Sequence, residues 1–211
     1  MIYLKSFYEF LYKAASAALF GILLLIAFVV TASMGSHEYH GFFRYDYLLF
    51  YALIIQACLL YLKLESWAEA RVIALFHIMA IGMEIFLTHP NIASWQYPQP
   101  AIFKLMTVPL FAGFMYSAVG SFFARSLRLY RVSFVKLPNF AHMLMLSICS
   151  YINFMSKFFI PDFRNLLFIW SMLLFWKTKI RFELQHHQFQ LPLLPILMVL
   201  AFVIWVAEQI S

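Results

Sequence analysis

The sequence predicts an all-α, polytopic transmembrane helical bundle of seven spans with its N-terminus cytoplasmic. Three observations lead there. Seven separate stretches are apolar enough to sit in hydrocarbon, and the Lys and Arg residues between them fall mostly on alternate connections. The composition, 64% hydrophobic and 11% charged with a mean hydropathy of +0.83, lies far from the roughly 25% charged content of an ordinary soluble domain. A bilayer core about 30 Å thick takes roughly 20 apolar residues per helix, and that helix must satisfy its own backbone hydrogen bonds.

Taken in order, the spans are about 14–34, 45–62, 69–87, 105–124, 137–156, 160–176 and 189–209. The first, fourth and fifth reach full length with no Asp, Glu, Lys or Arg inside them. The second, third and seventh have shorter uncharged cores or carry a polar residue. The sixth has only Asn165 to Trp176 as its uncharged core, which at 1.5 Å per residue covers about 18 Å and must borrow from residues 158–164 or thin the bilayer. The first apolar run, at 21 residues, exceeds the 7–15 of a signal-peptide core, which favours a retained span over a cleaved leader.

Orientation follows from the cations, which short cytoplasmic loops retain. Eleven of the 15 fall on one set of segments: Lys5, Lys13, Lys63, Arg71, Arg125, Arg128, Arg131, Lys136, Lys177, Lys179 and Arg181. Only Arg44, Lys104, Lys157 and Arg164 fall on the other. This split places the N-terminus inside and the C-terminus outside a plasma (bacterial inner) membrane, with the lipid bilayer as partner and no nucleic acid, despite a net charge of +6. Residues 1–211 read as one integral-membrane domain. Cys58 and Cys149 lie within spans as small apolar residues, so no disulfide framework follows.

Ionisable groups at membrane depth are functional candidates by default. His77 and Glu84 are seven residues apart, which stacks them about 20° apart in azimuth and roughly 10 Å along one helix face. Glu84 as a general acid with His77 tuning it is the chemical reading; a carboxylate bonded to a neighbouring helix and a satisfied interior histidine is the structural one. Glu208, at the outer end of the last span, sits at about the depth of Glu84, where two carboxyls could share a proton or bind a cation; anchoring at the interface is the favoured reading.

The connection after Glu84 contains Ser94-Trp95-Gln96-Tyr97-Pro98-Gln99-Pro100. Its aromatic rings suit a membrane interface, and its two prolines forbid regular helix, so it can roof a pocket. In the fourth span Gly113, Ser117, Gly120 and Ala124 form a small-residue stripe that permits close helix approach, with Tyr116 pointing elsewhere. His37-Glu38-Tyr39-His40 and the His186-His187 pair contain metal-ligating side chains, but a metal site needs three or four convergent ligands, so no metal or other cofactor is expected. No Walker loop, HExxH or GxSxG is present.

The runs Gly82-Met83-Glu84-Ile85-Phe86, Trp95-Gln96-Tyr97-Pro98 and Val108-Pro109-Leu110-Phe111-Ala112-Gly113-Phe114-Met115-Tyr116 resemble the bacterial integral-membrane family called domain of unknown function 817. Asn153-Phe154, Pro161-Asp162-Phe163-Arg164 and Trp205-Val206-Ala207-Glu208 extend the likeness to roughly two thirds of the chain. That family pattern has Glu at the position of Gln99 and histidine near Lys157 and Phe158, and it continues past the late Glu into an eighth span, so the chain reads as a fragment or a degenerate paralogue. The pairing of a membrane Glu, an aromatic Tyr loop and a Val-Pro-Leu span start also resembles, more loosely, carotenoid-hydratase-type membrane proteins.

These readings converge on an outer-face polar cluster of Glu84, Trp95, Tyr97, Asn153, Asp162, Arg164 and Glu208 that binds or transports a small amphipathic or lipid-like molecule. Asp162 and Arg164 are close enough to pair with each other and cap a helix. The alternative is a membrane enzyme acting on an isoprenoid or other lipid with Glu84 as general acid; the third is an inactive truncated paralogue.

Overall fold

The computed structural model describes residues 2–185 and 187–209. The chain divides into two compact units, residues 1–129 with the end of the chain from Val206, and residues 130–205.

In the first unit α1 (Ile2–Ala17) and α2 (Leu19–Thr31) meet at a 60° bend around Ala18. α3 (Arg44–Tyr61) starts where the Asp46 carboxylate accepts from the Phe43 N–H at 3.0 Å. α4 (Trp67–Leu87) starts at a capping box in which Ser66 Oγ accepts from Glu69 N–H (3.2 Å) while the Glu69 carboxylate accepts from Ser66 N–H (2.7 Å). Two orphan donors of the helix end are satisfied reciprocally in this way. A two-residue hairpin, β1 (Lys104–Leu105) with β2 (Val108–Pro109), precedes α5 (Ala112–Leu129).

Phe20, Leu24, Ala27 and Phe28 of α2 recur every three or four residues and are buried against Leu48, Ala52, Ile55 and Leu59 of α3, with Phe111 and Phe114 closing the same core. This spacing puts one apolar stripe of each helix inward. Stacking of Phe111 on Tyr45 (4.9 Å) ties the start of α5 to the start of α3.

The second unit holds α6 (Phe140–Ser156), capped by Asn139 Oδ1 accepting from Ala141 N–H at 2.9 Å, then α7 (Arg164–Phe175) and α8 (Leu193–Glu208), whose last residues return to the first unit. Its three-stranded antiparallel sheet has the order β3 (Ser133–Val135), β4 (Lys179–Leu184), β5 (His187–Pro192).

The seven-span all-α bundle is overturned. The described chain has eight α-helices and two small antiparallel sheets. Among the described residues only α4 is a single helix long and apolar enough to cross a membrane, or two spans if the bent α1–α2 pair counts as one. Each discrepancy has a local cause. The run 14–34 is broken at Ala18, and 45–62 carries Asp46 and Gln56 within α3. The run 105–124 spends its first residues on the hairpin, and α5 instead continues to Leu129 through Arg125 and Arg128. The run 137–156 yields a 17-residue helix and 160–176 a 12-residue one. In 189–209 the first four residues extend β5 and leave 16 for α8.

Candidate functional site

Glu84 sits one turn before the end of α4 and is 1% exposed. Its Oε2 accepts from the Trp95 indole N–H (2.8 Å) and the Tyr97 hydroxyl (2.9 Å), and its Oε1 accepts from the Tyr116 hydroxyl (2.8 Å). Both oxygens are therefore engaged, which a buried carboxyl requires if its desolvation is to be offset. Among the described residues no cation pairs with it. Burial, and then the neighbouring Glu84, push the Tyr97 phenol well above its ordinary range.

Three elements supply those donors. The loop 88–103 brings Trp95 and Tyr97, and both its feet are fixed. Ser94 N–H donates to Leu87 O at 3.0 Å, and the fully buried Asp46 carboxylate accepts from the Ile102 and Phe103 N–H groups at 2.9–3.1 Å. Tyr97 is wedged edge-on against Tyr45 (5.9 Å) and Phe111 (6.2 Å). Thr88 Oγ1 donates to the Glu84 carbonyl at 2.8 Å and lies 2.6 Å from Thr107 Oγ1, holding the helix end to the hairpin.

α5 supplies the third donor because it lies close on α4. The stripe Gly113, Ser117 and Gly120 faces that helix. A Cβ at Gly113 would fall 2.5 Å from His77 Nδ1, a Cβ at Gly120 3.0 Å from the Phe76 ring, and Ser117 Oγ donates to Ile73 O at 3.2 Å. Tyr116 stands about 60° around the helix from this stripe, near enough to reach across to Glu84. The expectation that it points elsewhere is corrected. His77 rests over Gly113 and against the Phe114 ring at 4.4 Å.

Three of the remaining predicted residues fall elsewhere. Asn153, Asp162 and Arg164 belong to the second unit and bond to one another. Asp162 Oδ1 accepts from Asn153 Nδ2 and from Arg164 N–H, both at 2.9 Å, Arg164 Nε donates to Asp162 Oδ2 at 2.6 Å, and Asn153 Oδ1 accepts from Phe163 N–H at 2.8 Å. They bracket the turn from α6 into α7. Arg164, and then Asn153, hold the Asp162 carboxyl far below the usual carboxylate range. Glu208 is exposed at the end of α8, within electrostatic reach of Tyr116. His37, Glu38 and His40 are exposed, His187 opens β5, and His186 lies outside the described residues. Among the described residues no three His, Cys, Asp or Glu side chains converge on a metal position.

A second polar cluster escapes the sequence reading. At the opposite end of the α4–α5 pair, Glu65 (3% exposed) accepts from Gln56 Nε2 at 2.6 Å and from Ser121 Oγ, with Arg125 Nη1 3.8 Å away. Arg125 is 1% exposed and its Nη2 donates to Ser16 Oγ at 3.0 Å, leaving Nε and Nη1 without a hydrogen-bond acceptor. Beside it Arg128 Nε pairs with Glu69 Oε1 at 2.7 Å. Positive-inside counting treats Arg125 as a loop cation, so nothing marked it as buried.

An α-rich protein with a buried carboxylate caged by three aromatic donors is thus defined by its own geometry. The chain belongs to the family described as "Protein of unknown function (DUF817)", which it matches over residues 6–211. It is also similar to an uncharacterised protein, YoaT, of Bacillus subtilis (strain 168), at 34% identity over 168 residues. That alignment covers 80% of this chain and 63% of YoaT, so the chain spans less than two thirds of that relative's length. No solved structure matches it.

Proposed function

We propose that this chain is a membrane-embedded binding protein whose α4 crosses the lipid, and that the Glu84 cage holds the head group of a small amphipathic or lipid-like molecule. The single observation that carries the binding reading is the cage: a carboxylate with three donors, of which Trp95 is 40% exposed. Swinging that indole aside frees one acceptor position on Oε2 for an incoming N–H or O–H, while the tyrosines hold the carboxylate in place. A ligand with a donor head and an apolar tail meets both the carboxylate and the aromatic surroundings.

The membrane reading is supported by α4 itself, 21 residues long with an 18-residue stretch of mean hydropathy 1.8, only 28% of which is buried, where the core helix of a soluble protein would be mostly covered. Large apolar side chains face outward on α4 itself, as at Ile78 (69% exposed), and on other helices, as at Val30 (69%) and Leu166 (64%). Exposed apolar surface of that kind suits contact with lipid.

Equilibrium dialysis of tritiated dodecylamine against the detergent-solubilised chain tests the binding reading. Roughly tenfold weaker binding in Glu84→Gln is expected, about 1.4 kcal/mol; equal binding in both proteins refutes it. The rival reading, Glu84 as general acid on an isoprenoid, needs a carboxyl O–H turned to substrate from oxygens already occupied by three donors. A new hydrated lipid in extracts of cells that make the protein would favour that rival.

A further inference from the structure

The second unit has a cleft of about 600 Å³ unrelated to Glu84, lined by Lys136, Leu137, Pro138, Leu173, Leu174, Trp176 and Lys177. It is built around a buried threonine. Thr178 is 1% exposed, its hydroxyl donates to Lys136 O at 3.1 Å, its N–H donates to Phe175 O at 2.9 Å, and its carbonyl accepts from Leu193 N–H at 3.0 Å. Three segments, the end of β3, the end of α7 and the start of α8, are thereby pinned to one residue. Lys136, whose own carbonyl is one of those anchors, and Lys177, which directly precedes Thr178, come to the same cleft as a result. Lys136 takes φ +57, a left-handed conformation that a non-glycine residue adopts only where its surroundings impose it.

The lining divides cleanly by chemistry. Leu173 (73% exposed), Trp176 (68%) and Leu137 (48%) give it outward-facing apolar walls, and among the described residues the two lysines are its only charged members. Among the described residues no acidic side chain lines it. Lys179 and Arg181 follow on β4, exposed, while Glu183 farther along that strand is paired with Arg131 at 3.2 Å. Ammonium groups beside an apolar wall that includes a tryptophan match an anionic head group joined to an acyl chain, since lysines attract the phosphate and an indole settles at the head-group level. A free soluble anion would use the lysines and leave the apolar walls wet.

We propose that this cleft is a site for an anionic phospholipid, with the phosphate held between Lys136 and Lys177 and the upper acyl chain lying along Leu173 and Trp176. This site stands independently of the Glu84 reading. Native mass spectrometry of the full detergent-solubilised chain, titrated with phosphatidylglycerol and with phosphatidylcholine of the same chains, provides the test. Phosphatidylglycerol is retained preferentially, and the Lys136→Gln/Lys177→Gln double variant loses roughly twenty-fivefold in affinity for it, at about a fivefold factor per lysine near a lipid surface. The charge-retaining Lys136→Arg/Lys177→Arg variant binds as the parent does, which separates loss of charge from loss of fold, and Trp176→Ala weakens retention of both lipids. Equal retention of the two lipids by the parent chain overturns the proposal, as does unchanged affinity in the glutamine variant. Displacement by inorganic phosphate at the concentration of the lipid itself also overturns it, by showing a site for free anions.

Discussion

The two ends of the α4–α5 pair solve one problem in different ways. Each buries a glutamate, Glu84 at 1% and Glu65 at 3% exposure. Glu84 is satisfied by three neutral donors, whereas Glu65 combines neutral donors with a guanidinium that is itself buried and has two nitrogens without an acceptor. A cage of neutral donors can lose one member and still hold its carboxylate. A buried ion pair cannot lose either partner without stranding a charge. The tolerant arrangement lies beside an exposed tryptophan, and the intolerant one is sealed inside.

Breaking the pair should have the largest effect. Arg125→Met is expected to cost about 3–5 kcal/mol in reversible denaturation from detergent, and Arg125→Met with Glu65→Leu to recover most of that, because stranding a charge costs more than replacing both partners by apolar groups. A small loss in the single variant would erase the contrast. Gly113→Ala pushes a methyl into His77 and should cost about 1–3 kcal/mol by overpacking, read as a lowered thermal midpoint. Glu84→Gln turns an amide N–H₂ toward donors and should cost a similar amount, about 1–3 kcal/mol. If it proved as damaging as Arg125→Met, the cage would be no more tolerant than the ion pair.

Trp95→Phe removes one of the three donors at an exposed position and should cost only about 0.5–1.5 kcal/mol, with the difference appearing in dodecylamine binding more than in the melting curve. The smallest effect is at Asp162. Its carboxyl is depressed in the folded chain, so its bracket stabilises the α6–α7 turn above the ordinary carboxylate range and is lost only as pH falls through the depressed value. Hydrogen exchange at the Arg164 amide should therefore stay protected at pH 4 and open on stronger acidification; opening already at pH 5 would contradict it.

Much of the site's local grammar is legible in the sequence. Glu84 stands out as an ionisable residue in an apolar helix, and the proline-stiffened loop immediately after it places Trp95 and Tyr97 within reach. The stripe of Gly113, Ser117 and Gly120 announces a close helix approach, which the structure shows against α4. Tyr116 was not legible, since its use depends on how near α5 comes to α4. Counting apolar residues in windows also cannot tell a span from a short helix followed by a strand. The alternation Lys179-Ile180-Arg181-Phe182-Glu183-Leu184 carries the period of two that marks β4, yet a reading by charge makes the same residues a cationic connection between two spans. Arg125 and Glu65 failed for a related reason: sequence charge shows that a group must be compensated, and only the packed helices reveal that the compensation is internal.

Asp46 has one more effect, through the Ile102 and Phe103 amides that it clasps. With Ser94 tied to the end of α4 at one side and Asp46 gripping the other, the stretch between them is an arch on fixed abutments. Its contour length sets where the indole and phenol come down over the carboxylate, so a single residue added or deleted between Ser94 and Ile102 would shift both rings off their target at once, while equal changes in the exposed segment 35–41 leave that span untouched.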